Sequence, residues 1–314
     1  MPRLVLHADW SLHPRKRWVS RAWEGNEGWR VEAPSRAPDP AAWLDDLEAM
    51  LDGNGSVVLG LDLPLGLPAA YAKRTGVTSF PGVLPQWGRG EWRDFYRVAE
   101  RSDEVSLRRP FYPAASNRRG VRRADLVRGL GVCGYDALLR RCDRATTDRP
   151  AACSVFWTLG PQQVGKAAIT GWRGVVAPLI ERLGDRVGLW PFDGDWASLQ
   201  HTRELVVAES YPRQFYATFG FPHRGWSKRR PRDRAARFGE LQRWASARSI
   251  ALTDALHETG QAGLGEGPAG EDAFDAVVGA VGTAACVSGA IPVTEPTDEA
   301  ARRVEGWILG QPAV

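Results

Sequence analysis

Short apolar runs, each closed by an acid, recur three times along this chain. Leu4–Asp9 reads LVLHAD, Val57–Asp62 reads VVLGLD and Glu204–Glu209 reads ELVVAE. Runs of this length and continuity predict strands buried on both faces, the habit of a parallel sheet. Between the first two, Lys16–Glu24 and Gly28–Ala33 alternate as half-buried strands do, with Gly25-Asn26-Glu27 as the turn that joins them. Asp39-Pro40 opens a helix through about Leu51 that places Trp43, Leu44, Leu47 and Leu51 on one face. Asp52-Gly53-Asn54-Gly55 closes it, and Leu63–Pro68 leaves the next strand through a Pro/Gly-rich turn. The expected order is three strands, a helix, then a fourth strand.

From Ala69 to His201 the periodicity loosens, and arginines and tryptophans accumulate. This stretch reads as a large, mostly helical insertion or cap whose best helix is Ala167–Leu183. The fifth strand follows. Next come a basic amphipathic helix over Arg234–Ser249, a Gly-rich linker over Gly260–Gly270, and a final helix over Glu271–Ser288 rich in Ala, Gly and Ser. No long internal repeat is present. The expected fold is α/β: a mixed five-stranded sheet flanked by helices, formed by residues 1–68 and 202–314, with 69–201 inserted after strand four.

Composition adds limits. The 314 residues are 43% hydrophobic and 25% charged, enough for a sizeable core. A formal net charge of +4 permits an anionic partner without requiring one. Fourteen tryptophans read as core filling before they read as a stacking surface for bases. Cys133, Cys142, Cys153 and Cys286 form no CxxC pair and no zinc spacing with histidines. The opening MPRLVLHADW lacks a basic segment followed by a long apolar one, and no run approaches the ~20 residues needed to span a bilayer. The expectation is a cytoplasmic protein with reduced thiols and no membrane partner.

The acids carry the chemistry. If their strands are parallel neighbours, Asp9, Asp62 and Glu209 lie at one sheet edge, the edge where open α/β sheets bind ligands. Asp272 and Asp275, three residues apart, share a face of the last helix and are expected in its first turn, where the dipole tolerates negative charge. Each acid alone has a plain structural use. Asp9 could close a turn, Asp62 could accept backbone amides, Glu209 could pair with Arg213, and Asp272 could sit at a helix start. Asp275 is hardest to explain this way, because its helix neighbours are small and apolar. Together they favour a site. Crowded carboxylates repel and take up protons unless compensated, and Mg²⁺ or Mn²⁺ is the economical compensation. Two such ions roughly 4 Å apart can stabilise the attacking and leaving oxygens of a phosphodiester.

The segments HADWS, LGLDLPLGLP, CSVFWTLGPQQVGKAA, ESYPRQFY, EDAFDA and the terminal EGWI span nearly the whole chain. On these the chain resembles the ribonuclease H-like superfamily and, more narrowly, the DUF429 family, described as predicted ribonuclease H-like nucleases. The resemblance implies a sheet in the order three-two-one-four-five with an insertion after strand four. It implies Asp9, Asp62 and Asp275 as metal ligands with Asp272 adjacent, and Glu209 as a further member of the catalytic set. Ribonuclease H enzymes take another acid from the first helix. Asp45, Asp46 and Glu48 are available there, but no motif anchors them.

Other features bear on the substrate. Gly160-Pro-Gln-Gln-Val-Gly165-Lys166 approaches a P-loop, but Ala167 stands where the Mg²⁺-binding Ser or Thr belongs. A softer reading has the helix start and Lys166 hold a substrate phosphate or carboxylate. Lys166 and Arg213 are therefore the substrate-binding candidates. Two basic runs, Arg108-Arg109 through Arg118-Arg119 to Arg122-Arg123, and Lys228-Arg229-Arg230 with Arg232 and Arg234, include Phe111, Tyr112 and Trp226. They suit either a nucleic-acid track or a solvated charged face. His257 reads as an ordinary helix-end histidine. The expected function is a metal-dependent nuclease cutting DNA or RNA by a two-metal-ion mechanism. The alternatives are a phosphotransferase or hydrolase acting on a phosphate-bearing small molecule, disfavoured by the absence of glycine in Asp9-Trp10-Ser11-Leu12, and a non-catalytic nucleic-acid-binding protein.

Overall fold

A computed structural model describes residues 2–114, 120–147, 149–160 and 164–312. Its strands are β1 (Leu4–Asp9), β2 (Trp18–Gly25), β3 (Gly28–Val31), β4 (Ser35–Arg36), β5 (Val57–Leu61), β6 (Val187–Leu189), β7 (Leu205–Glu209) and β8 (Ile250–Leu252). They form one mixed eight-stranded sheet in the order β6-β7-β5-β1-β2-β3-β8, with β4 paired to β2. β1, β5, β7 and β6 run parallel, and β2 is antiparallel to both β1 and β3. The five strands read from the sequence thus lie in the order β3-β2-β1-β5-β7. The expected five-stranded sheet is too small, because β6 and β8 extend its two edges.

The uninterrupted apolar runs have a physical cause. Side chains alternate across a strand, and both faces of β1 are covered. Leu4, Leu6 and Ala8 enter one hydrophobic core, and Val5 enters the other. The first core packs the sheet against α1 (Pro40–Asn54), which supplies Trp43, Leu44 and Leu47. Asp39 caps that helix by accepting from the Ala41 amide at 3.0 Å.

Residues 69–202 supply α2 (Ala69–Thr75), α3 (Phe80–Val83), α4 (Arg123–Leu130), α5 (Val164–Gly171), α6 (Ala177–Leu183) and α7 (Trp196–Thr202). A five-residue π turn, Trp172–Val176, joins α5 to α6. The Trp172 indole there donates to the Pro64 carbonyl at 2.7 Å. This stretch does not stand apart from the sheet. It contributes β6, and Phe80, Trp87, Phe95, Phe111 and Trp172 share a core with Leu6 and Leu59. None of the fourteen tryptophans is exposed, and only Trp18, Trp23, Trp226 and Trp244 are half-buried.

α8 (Pro231–Ser246), α9 (Asp254–Gln261) and α10 (Gly267–Val287) complete the second core. α10 begins four residues earlier than expected, with Pro268 in its opening turn. Asp272 and Asp275 therefore lie beyond the first turn, where the helix dipole helps little. Small residues let α10 approach the sheet closely. A Cβ at Gly279 would lie 2.1 Å from the His7 ring, and one at Gly282 2.3 Å from the Phe215 ring. Among the described residues no helix is long and apolar enough to cross a membrane.

Candidate functional site

Parallel pairing levels the strand ends. Ala8 is opposite Leu61, and Leu61 is opposite Glu209. The Asp62 amide donates to the Ala8 carbonyl at 2.9 Å, and the Ser210 amide to the Leu61 carbonyl at 2.9 Å. Asp9 and Asp62 thus leave adjacent strands side by side, and α10 brings Asp272 and Asp275 against them. All four line one cleft of about 840 Å³.

The electrostatics record the crowding. Burial, then Asp62, Asp275 and Asp272, push Asp9 well above the usual carboxylate range. Asp62 is pushed up to about 8 by burial and then by Asp275 and Glu209, against the pull of Lys228. Asp272 rises to about 6, again through burial first, with Lys16 opposing and Asp275 adding. Its Oδ2 is buried without a hydrogen-bond partner. A buried acceptor left without a donor is costly and calls for a cation or a proton.

Asp275 is compensated within the chain. Its Oδ1 accepts from the Tyr216 hydroxyl at 2.9 Å, and its Oδ2 accepts from the Lys228 ammonium. Burial works against the charge on Lys228, but Asp275, Tyr216 and Asp9 hold its pKa well above the ordinary lysine value.

Glu209 is placed differently from the aspartates. Arg140 donates to it at 2.6 and 2.8 Å, and the Leu65 amide at 2.7 Å. Arg140 is fully buried and also bonds Asp143 at 2.8 Å and the carbonyls of Leu65 and Glu305 at 3.2 and 3.3 Å. Both Glu209 oxygens are thereby engaged, and the partner is Arg140 rather than Arg213. Glu209 braces the loop after β5 and acts on Asp62 through its charge.

The remaining candidates divide by place. Lys166 on α5 and Arg213 line the cleft, as do Lys16, Trp10, Tyr211 and Trp226. Pro161–Gln163, within the P-loop-like segment, and Arg118 and Arg119 lie outside the described residues. Of the first basic run, Arg108 lies over the Trp92 ring at 3.7 Å and Arg109 pairs with Glu104 at 3.0 Å, both away from the cleft. Of the second run, only Lys228 lines the cleft. Arg234 is buried and bonded to backbone carbonyls. Asp45 and Glu48 face Arg182 at 2.9 and 3.9 Å, and Asp46 is exposed on the same helix. His257 contacts Gln261 on α9 at 2.7 Å, away from the cleft.

The donors suit a hard divalent cation, since they are carboxylate oxygens with negative charge left over and one oxygen unpartnered. Among the described residues, no three His, Cys, Asp or Glu side chains are already gathered closely enough to hold an ion. Among the described residues Asp9, Asp62 and Asp272 have no ion pair, and Mg²⁺ sites commonly use only one or two carboxylates. Sequence reasoning missed Lys228 and Tyr216 as members of this group. The one signal available for Tyr216 was its place at the end of ESYPRQFY, and Lys228 was submerged in a basic run. No protein-family model, curated protein or solved structure matches the chain.

Proposed function

We propose that the chain is a divalent-metal-dependent phosphodiesterase on a ribonuclease H-like scaffold, acting on single-stranded DNA or RNA. The observation that carries this reading is the convergence of Asp9, Asp62, Asp272 and Asp275 in one cleft, with Asp9, Asp62 and Asp272 driven toward protonation by burial first and by neighbouring carboxylates second. The strand order β3-β2-β1-β5-β7 supports the scaffold.

Asp9 and Asp62 would hold the cation, with Asp272 beside them. A divalent cation there would neutralise the carboxylates and polarise a phosphoryl oxygen. The chain's other residues favour an anionic, ring-bearing substrate. Lys16, Lys166 and Arg213 bring positive charge to the cleft, and the half-buried rings of Tyr211 and Trp226 give bases a surface to stack on. Arg140 and Glu209 keep the loop after Asp62 in place.

The test is cleavage of end-labelled single-stranded DNA and RNA with Mg²⁺ or Mn²⁺, and with EDTA as control. Wild type should cut only with metal. Asp9→Asn should lower the rate by more than ~100-fold, beyond the loss typical of a merely supporting partner. Equal cleavage by Asp9→Asn, or no metal-dependent cleavage of either polymer, would overturn the assignment.

A further inference from the structure

We propose that Lys228 takes the place of a second metal ion: the site holds one divalent cation, on Asp9 and Asp62, and the Lys228 ammonium neutralises Asp275 where a second cation would otherwise be needed. This rests on the metal-dependent reading above and replaces its two-ion form.

Asp275 is the carboxylate that the resemblance assigns to metal besides Asp9 and Asp62, and it lines the same cleft. Each of its oxygens already accepts a hydrogen bond. Tyr216 donates to Oδ1 at 2.9 Å and Lys228 donates to Oδ2, in a residue only 6% exposed.

Lys228 is not a loose arm that fell into the cluster. Arg234, fully buried, donates to the Lys228 carbonyl and also to the Gly263 carbonyl at 2.7 Å and to the Gly265 carbonyl. One guanidinium thus ties the turn carrying Lys228 to the segment that leads into α10. The Ser227 amide donates to Asp233 at 2.9 Å. The Trp226 ring packs at 5.4 Å from Tyr216 and 6.2 Å from Phe274. The backbone on both sides of Lys228 is therefore held, which keeps its ammonium within reach of Asp275.

Charge and ligand number agree. The field of Lys228 reaches Asp9 and Asp62 as well as Asp275. A second divalent ion at Asp275 would meet this ammonium at contact distance, where like charges repel. One Mg²⁺ or Mn²⁺ needs no more than two carboxylates when waters and a substrate phosphate complete its shell. Lys228 is thus a positioning residue that fixes Asp275 and the metal count.

The test counts metal directly on the full chain, with Mn²⁺ alone as the probe. Calorimetric titration gives stoichiometry, and low-temperature electron paramagnetic resonance separates isolated from coupled ions. Wild type and Lys228→Arg should each bind one Mn²⁺ with an isolated-ion signal. Lys228→Met should bind two, with the signal of a coupled pair. Lys228→Gln should do the same, and it replaces the methionine variant should that one fail to fold. Two ions in wild type, or one in both neutral variants, would overturn the inference while leaving the metal site standing. No Mn²⁺ bound by wild type would overturn the metal-dependent reading, and this inference with it.

Discussion

The substitution Asp62→Asn removes a carboxylate that the fold holds at a cost. Burial first, then Asp275 and Glu209, raise its pKa to about 8, whereas an unfolded aspartate titrates near ~4. Between those values the folded state keeps a proton that the unfolded state has released. Stability from this group is therefore full below about pH 4 and is lost as pH rises through about 8. A gap of about four pH units at ~1.4 kcal/mol each sets a ceiling of roughly 5 kcal/mol. Asp62 faces the solvent of the cleft, so screening lowers the expected effect to about 2 kcal/mol. Asparagine has nearly the same shape and no charge. In EDTA, denaturant unfolding should find Asp62→Asn close to wild type at about pH 5 and about 2 kcal/mol more stable at about pH 9. Saturating Mn²⁺ should reverse the ranking, because about 100-fold excess over Kd adds ~2.7 kcal/mol only to a chain that binds it. A variant less stable than wild type at alkaline pH in EDTA, or one stabilised by Mn²⁺ as strongly as wild type, would refute the reasoning.

Two further substitutions probe the supports of the site. Arg140→Met leaves Glu209 and Asp143 buried without their cation and should cost about 3–5 kcal/mol in denaturant unfolding; a loss under about 1 kcal/mol would show that the network is not needed. Gly279→Ala drives a methyl group to within 2.1 Å of the His7 ring, itself bonded to the Ser210 carbonyl at 3.0 Å. It should destabilise by about 1–3 kcal/mol, lowering Tm in calorimetry, and an unchanged Tm would mean that α10 can move off β1 at no cost.

The strands that carry the acids were legible because burial on both faces leaves no alternation to misread, and each run stops where its acid meets the cleft. The sheet's outer strands were not. β6 and β8 have three residues each and β4 has two, too short for any periodicity to register. The start of α10 was hidden because Gly-Pro-Ala-Gly reads as linker, although proline suits a helix's first turn. The charge pairs were hidden for another reason. Local spacing cannot reveal that Arg140 meets Glu209 across 69 positions, or that Lys228 meets Asp275 across 47. The acids could be found one strand at a time, but their partners come from chain folding back on itself.

The central claim is that Asp9 and Asp62 together form a metal site. Anomalous diffraction from a crystal soaked in Mn²⁺ tests it most directly. The account predicts one anomalous peak between the two carboxylates, roughly 2.1 Å from an oxygen of each, with Lys228 still on Asp275. A cleft without a peak, or manganese bound away from Asp9 and Asp62, would contradict it.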